Sequence, residues 1–95
     1  MKEFIDACYN NNIKLVKKLV EKNKKLLTII PPNKKYPIIF FVTKHKDCKI
    51  LKYFLKNGVN PNSTGKKNMN ILMYASQFGY LYCVKELLKN KKIEI

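Results

Sequence analysis

The stretch NMNILMYASQFGYLYCVKELL, residues 68–88, predicts two short helices joined by a tight turn. Asn70 stands where an N-terminal cap of the first helix belongs. Apolar residues fall on one face of that helix at Ile71, Leu72 and Ala75. The second helix has an apolar stripe at positions i, i+1, i+4 and i+5, namely Cys83, Val84, Leu87 and Leu88. Gly79 separates the helices, where the end of the first one favours positive φ.

The apolar quartet of the second helix occurs twice more in the chain. Its first copy lies thirty-three positions earlier, at Ile50, Leu51, Phe54 and Leu55. The other copy lies thirty-five positions before that one, at Leu15, Val16, Leu19 and Val20. A period of this length is typical of stacked helical hairpins, each of which buries its apolar face against the next. The chain is therefore predicted to contain three such hairpins.

The residues between the quartets resemble the ankyrin repeat. NILMYAS, residues 70–76, is similar to the T-P-L-H-x-A-A run, and GVNPN, residues 58–62, is similar to the G-A-D-x-N run between repeats. FIDACYNNN, residues 4–12, resembles the opening of a first repeat. The resemblance implies an all-α solenoid of stacked helix-turn-helix units with short β-hairpin fingers. Its repeats would cover approximately residues 1–31, 32–64 and 65–95 of a single domain, the second repeat being degenerate.

The second repeat departs most from this pattern. PIIFFV, residues 37–42, is apolar and β-branched, so a buried strand is one reading of it. The repeat register favours a helix, because Ile39 and Val42 align with Leu72 and Ala75. Asp47 is predicted to cap an outer helix at residues 48–56. In the first repeat, the helices are predicted at about residues 3–9 and 13–21.

The segment between the first two hairpins, residues 24–36, is predicted to be irregular. Pro31 and Pro32 exclude a helix there. Residues 33–35 and 63–68 are expected to form the tips of the two fingers. Four apolar residues are expected to pack onto the helices: Leu26, Leu27, Ile29 and Ile30.

Lysine dominates the composition. The chain has 95 residues and a formal net charge of +14, and every one of its basic residues is lysine. Such a charge attracts acidic partners, although Lys, Asn and Ile also share A/T-rich codons, so a compositional bias explains part of it. Arg is the usual residue for bidentate contacts with phosphate and guanine. Its absence weighs against sequence-specific DNA binding.

The sequence contains no pattern typical of an enzyme or a metal site. Its single histidine, His45, has no ligand or acid nearby in sequence, and no C-x-x-C pair joins Cys8, Cys48 and Cys83. Nucleophile elbows and glycine-rich phosphate loops are also missing. We therefore expect a non-enzyme without cofactor or metal. Unpaired cysteines, and the lack of a secretory signal or a membrane span, favour an intracellular location, in the cytoplasm rather than the nucleus.

The resemblance implies a binding surface made of finger tips and the concave face of the inner helices. Carried onto this sequence, the first repeat contributes Tyr9 and Asn10. The second repeat contributes Lys34, Lys35, Tyr36, Lys44 and His45, and the third contributes Lys66, Lys67, Met69, Gln77 and Phe78. We expect an acidic protein partner, with Phe78 as its apolar anchor. Lysine-mediated binding of nucleic acid or another polyanion is the alternative, and no small-molecule substrate is expected.

The end of the chain suggests that the array continues. Ile93 and Ile95 look like the start of a connection to a further repeat, whereas a terminal repeat normally has a polar outer face. An N-terminal fragment of a longer array is therefore expected, and a very short natural protein is the alternative.

Overall fold

The computed structural model describes residues 1–90, through which six α-helices and three 3₁₀ segments run. The α-helices are α1 (Lys2–Tyr9), α2 (Ile13–Lys22), α3 (Ile38–Phe41), α4 (Lys49–Lys56), α5 (Ile71–Gln77) and α6 (Leu81–Lys89). The 3₁₀ segments are Lys24–Thr28, Val42–Lys44 and Lys66–Asn68. Within this part of the chain, no helix has the length and apolar character to cross a membrane. The connection predicted at Ile93 and Ile95 lies outside the described residues.

The helices pack as consecutive hairpins whose first members contact one another. Helix α1 packs on α2, and α5 packs on α6. Helix α3 packs against both α1 and α5, so these three helices form an inner row. Helix α4 contacts α2 and the 3₁₀ segment that follows α3, so it belongs to the outer row. The predicted all-helical architecture of residues 1–90 is thus confirmed.

The repeated quartets provide much of the core. Ile50, Leu51 and Phe54 in α4 are fully buried. In α2 and α6, only two members of each quartet are buried, and Leu88 is 49 % exposed. Within residues 1–90, helix α4 has a neighbouring repeat on each side, whereas α2 and α6 have one on a single side. Burial of the same sequence pattern therefore depends on the position of the repeat in the stack.

The structure resolves the ambiguous segment 37–42 as helix, and the strand alternative is wrong. Helix α3 has only four residues and continues as the 3₁₀ segment Val42–Lys44. Val42 is completely buried at the place where the repeat pattern has alanine. Thr43 is buried as well, and its hydroxyl donates a hydrogen bond of 2.6 Å to the Phe40 carbonyl. This bond satisfies a polar group that burial would otherwise penalise.

The predicted β-hairpin fingers are not confirmed. In the described part of the chain, one isolated bridge joins Thr64 and Asn70, and no strand is formed. The tip between them is the 3₁₀ segment Lys66–Asn68, closed by a bond of 2.9 Å from the Gly65 N–H to the Met69 carbonyl. The first tip is a tight turn at Asn33, whose φ is 63°. Ile30 is 55 % exposed, so its predicted packing onto the helices is wrong.

Asparagine and glycine shape the helix ends largely as the sequence predicts. The Asn70 side chain caps α5 by accepting a hydrogen bond of 2.9 Å from the Met73 N–H. Gly58 and Gly79 have φ values of 89° and 72°, in the left-handed region that a glycine after a helix supplies. Asn11 has a φ of 58° in the first turn, where the repeat pattern usually has glycine.

Asp47 connects the turns of the first two repeats. Helix α4 begins at Lys49 rather than at residue 48, and the Asp47 carboxylate accepts a bond of 3.1 Å from the Lys49 N–H. The Asn11 amide donates a second bond of 2.9 Å to this carboxylate. These two hydrogen bonds lower the pKa of Asp47, in that order of importance, and the charges of Lys49 and His45 lower it further.

We predict that the Asp47 contribution to stability depends on pH. The folded pKa lies below the unfolded value of about 3.9, so the contribution is present above that pH and is lost as the pH falls through the folded pKa. Asp47→Ala should therefore destabilise the fold at pH 7, by less than about 1 kcal/mol because the group is largely exposed. Urea unfolding measures the coupling free energy between Asp47 and Asn11. It compares Asp47→Ala, Asn11→Ala and the double variant with the wild-type chain at pH 7 and pH 3. A destabilisation that is the same at both pH values would contradict the prediction.

Candidate binding site on the inner helices

Seven aromatic side chains form a continuous cluster along the inner helices. They come from α1, α3 and α5 and from the loops beside them. The aromatic cluster consists of Tyr9, Tyr36, Phe40, Phe41, Tyr74, Phe78 and Tyr80. Phe40 is completely buried, Phe78 is 54 % exposed, and the other rings are partly buried. The cluster therefore reaches from the core to the surface.

Tyr74 is the centre of the aromatic cluster. Its ring centroid lies 4.8 Å from that of Phe78, 5.4 Å from that of Phe40 and 5.6 Å from that of Tyr36. Tilted and edge-to-face pairs at these distances are favourable beyond the area that they bury. Burial raises the pKa of Tyr74, and its proximity to Tyr80 and Tyr36 raises it further. The Tyr74 hydroxyl therefore stays protonated at neutral pH and can donate a hydrogen bond.

Lysine ammonium groups lie over the edges of the aromatic cluster. The Lys44 Nζ is 5.1 Å from the ring centroid of Tyr9, and the Lys34 Nζ is 6.0 Å from that of Phe41. Cation–π attraction at such distances is about 0.5–1 kcal/mol at an exposed site, which favours these side-chain positions. The cluster thus presents positive charge next to apolar surface.

Two depressions run along this surface. One of about 230 Å³ is lined by Tyr9, Lys34, Phe40, Phe41, Lys44, Tyr74 and Tyr80. The other, of about 460 Å³, is lined by Asn33, Lys34, Lys35, Tyr36, Phe41, Lys66, Met69, Tyr74, Gln77 and Phe78. No carboxylate of residues 1–90 lines either depression. The surface is therefore suited to an apolar group that is accompanied by negative charge.

Comparison with known families agrees with this architecture. A family model described as "Ankyrin repeats (3 copies)" matches residues 4–95, nearly the whole chain. The chain belongs to the ankyrin-repeat family. No curated protein sequence matches it. Ankyrin repeats are in general protein–protein interaction modules and form a non-enzymatic scaffold. The surface across the repeats is therefore the candidate binding site.

The ankyrin fold brings nine of the twelve predicted site residues to the two depressions. They are Tyr9, Lys34, Lys35, Tyr36, Lys44, Lys66, Met69, Gln77 and Phe78. Asn10, His45 and Lys67 line neither depression. Asn10 is exposed at the end of α1, and Lys67 is exposed in a left-handed conformation with a φ of 57°. Binding by these twelve residues remains a prediction.

His45 has a structural contact that the sequence did not indicate. Its Nε2 atom lies 2.7 Å from the Cys8 carbonyl oxygen, within hydrogen-bonding distance. The ring is partly buried, and its partner is a backbone group thirty-seven positions away, although the sequence shows no partner near the residue. This contact and the Asn11–Asp47 bond join the first two ankyrin repeats on the same side.

Sequence reasoning missed Phe41 and Tyr74 as members of the site. They are thirty-three positions apart and thus occupy the same place in consecutive ankyrin repeats. This separation could have indicated their contact, because equivalent positions of consecutive repeats lie next to each other in a stack. Tyr80 lies at the start of α6. Its ring packs 5.7 Å from that of Phe78, and it also lines the smaller depression.

Lysines are concentrated on the outer helices as well. Four lie on α2 and three on α4, whereas α3 and α5 carry no charged residue. A groove of about 690 Å³ between α2 and α4 is lined by Ile13, Lys17, Glu21, Lys49, Lys52, Tyr53, Lys56 and Asn57. The Lys17 Nζ lies 5.7 Å from the Tyr53 ring centroid. The outer face is thus a second basic surface, separate from the aromatic cluster.

Proposed function

We propose that this ankyrin-repeat chain is a protein-interaction module that binds an acidic segment of a partner protein on its aromatic cluster. The observation that carries the proposal is Phe78, a 54 % exposed phenylalanine held between Tyr74 and Tyr80. An exposed aromatic ring fixed by its neighbours loses little side-chain entropy on binding. Rings of this kind are frequent anchors of protein interfaces.

The lysines around the aromatic cluster favour a partner segment with negative charge. Lys34, Lys35, Lys44 and Lys66 line the depressions, and no described carboxylate balances them there. Complementary charge mainly accelerates association and selects the partner, whereas the buried apolar contact supplies most of the affinity. An acidic segment with one large apolar side chain would satisfy both requirements.

The remaining parts of the proposal rest on the ankyrin assignment and on the sequence. We propose that the two finger tips, with Lys34, Lys35, Lys66 and Lys67, extend the site beyond the aromatic cluster as short hairpins of a solenoid. The chain would act in the cytoplasm, without catalysis or cofactor. Its three repeats would divide near residues 31 and 64.

We predict that Phe78→Ala weakens binding by at least about fivefold, which corresponds to roughly 1–3 kcal/mol for an interface anchor. The probe is a set of peptides selected on the immobilised wild-type chain from a library that alternates Asp and Glu with Leu and Phe. Isothermal titration calorimetry then compares the variants. Met73→Ala is the matched control, because Met73 is 55 % exposed on α5, which ends just before Phe78, but lines neither depression. An equal loss of affinity in both variants would reject the assigned surface.

Binding of a polyanion is the second candidate function, and the lysine-lined outer groove favours it. Lys17, Lys52 and Lys56 line this groove together with the Tyr53 ring. Exposed lysines attract phosphates without sequence readout, and such binding falls steeply with salt. Duplex DNA and single-stranded RNA at physiological salt are suitable probes. Tight binding that ignores Phe78→Ala but is lost when these three lysines become alanine would reverse the primary assignment.

A further inference from the structure

Cys48 and Cys83 place two thiols side by side between the second and third repeats. Their Sγ atoms are 2.9 Å apart although the residues are thirty-five positions apart in sequence. Both side chains are buried, with 2 % and 1 % of their surface exposed. The separation is about 0.9 Å longer than an S–S bond of about 2.0 Å. A small movement of the side chains would therefore bring the two sulfurs to bonding distance.

The backbone around Cys48 holds its thiol in this place. Cys48 adopts a left-handed conformation, with φ 57° and ψ 19°, immediately before α4. Residues other than glycine and asparagine rarely adopt this region unless the surrounding structure imposes it. Hydrogen bonds on both sides impose it here, from the Cys48 N–H to the His45 carbonyl at 3.1 Å and from the Lys49 N–H to the Asp47 carboxylate at 3.1 Å.

The partner thiol comes from the third repeat. Cys83 lies in the first turn of α6, and its Sγ is 3.6 Å from the His45 carbonyl oxygen. The Cys48 Sγ is 3.6 Å from the Lys46 carbonyl oxygen. Both thiols therefore face carbonyl groups of the turn that precedes α4, and the pair spans the boundary between the two repeats.

We propose that Cys48 and Cys83 are a site of reversible oxidation, at which a disulfide joins the turn before α4 to α6. The oxidant is a low-molecular-weight disulfide such as oxidised glutathione. One cysteine thiolate attacks it, forms a mixed disulfide and releases one glutathione thiolate. The other cysteine thiolate then attacks the protein sulfur of the mixed disulfide and releases the second. The protein loses two protons and two electrons in total, and the oxidant becomes two glutathione thiols.

The surroundings of the pair make this reaction slow at neutral pH. Burial raises the pKa of Cys83, and the hydrogen bond with Cys48 raises it further. Since only the thiolate is nucleophilic, oxidation speeds up as the pH rises. Formation of the bond closes a loop of the intervening chain and restricts the unfolded state, so the oxidised protein is the more stable form.

Cys8 provides a matched control within the same chain. It is as deeply buried as the other two cysteines, and burial raises its pKa to about 12. Its sulfur makes no hydrogen bond with another group of the described residues, in contrast to Cys48 and Cys83. If burial or general thiol reactivity determined which cysteines are oxidised, Cys8 would be oxidised as well. If the short Sγ–Sγ distance determines it, Cys8 stays reduced.

The test incubates the wild-type chain, Cys8→Ala, Cys83→Ala and Cys83→Ser in oxidised glutathione at pH 8.5. Denaturation, alkylation of the remaining thiols and intact mass spectrometry follow. The wild-type chain should keep one alkylatable thiol of its three, and Cys8→Ala should keep none. Both should remain monomers lighter by two hydrogen atoms before alkylation. Their melting temperature should rise by roughly 10 °C or more, and a reductant should reverse the rise.

Each other outcome would overturn the proposal. Three alkylatable thiols in the wild-type chain would show that the pair only packs. A peptide map that links Cys8 to another cysteine, or a dimer joined by a disulfide, would assign the reaction elsewhere. The peptide map of the wild-type chain decides the linkage even if a Cys83 variant fails to fold.

Discussion

Replacing Phe40 by alanine is expected to lower the free energy of unfolding by about 3–5 kcal/mol. Phe40 has no exposed surface, and its ring centroid lies 5.1 Å from that of Tyr36 and 5.4 Å from that of Tyr74. The substitution leaves a cavity between α3 and α5 and removes two aromatic contacts. A small domain has only about 5–15 kcal/mol of stability, so much of the chain should unfold at 37 °C.

Phe78→Ala is the control, because it removes the same side chain from the exposed end of the aromatic cluster. Its ring is 54 % exposed, so the variant should lose no more than about 1 kcal/mol of stability. Urea unfolding followed by circular dichroism measures both variants. If they proved equally stable, Phe40 would not be enclosed between α3 and α5 as the structure shows.

Gly65→Ala is expected to cost about 2–3 kcal/mol, because a Cβ atom at this position would overlap the Tyr36 ring. Tyr36 cannot move away freely, since its ring packs 5.1 Å from that of Phe40 and 5.6 Å from that of Tyr74. The backbone at Gly65, beside the second tip, therefore lies directly on Tyr36, which follows the first tip. The variant should also change the near-ultraviolet circular dichroism of the tyrosines, because the Tyr36 ring is displaced.

Gly58→Ala separates steric overlap from backbone strain. Gly58 has a φ of 89°, and a Cβ atom there would meet no atom within 4 Å. Its substitution should cost about 1 kcal/mol through strain alone and leave the tyrosine signal unchanged. Gly65 has a φ of −114°, outside the left-handed region, and the cost expected at this position comes mainly from the overlap with the Tyr36 ring. A Gly65→Ala variant as stable as the wild-type chain would mean that the ring of Tyr36 is mobile.

Phe40→Ala and Gly65→Ala also test whether the candidate site is preorganised. Tyr36 packs against the buried Phe40 on one side and lines the larger depression on the other. Removal of the Phe40 ring, or displacement of Tyr36 by a Cβ atom at residue 65, would loosen the rings that pack against Phe78. A peptide that binds the aromatic cluster should therefore bind Gly65→Ala more weakly at temperatures where this variant is still folded.

The sequence by itself determined the helical hairpins and their ends. Apolar positions at helical spacing, repeated every thirty-three to thirty-five residues, indicated three outer helices and placed α2 and α4 to within one residue at either end. Caps such as Asn70 and left-handed residues such as Gly58 and Gly79 were predictable because they act within a few bonds of their own position. The helical reading of residues 37–42 needed the register of the other repeats, since its local composition also fits a strand.

Only the tertiary structure decided which of these local units meet, and where. The ring pairs between repeats in the aromatic cluster, the His45–Cys8 contact and the Cys48–Cys83 pair join residues thirty-two to thirty-eight positions apart. Helix α3 shortened to four residues and continued as 3₁₀ around the buried Val42, and the second finger became a 3₁₀ turn. Such details depend on how closely neighbouring repeats pack. That distance is set by the volumes of side chains from two repeats at once, which a pattern within one repeat does not contain.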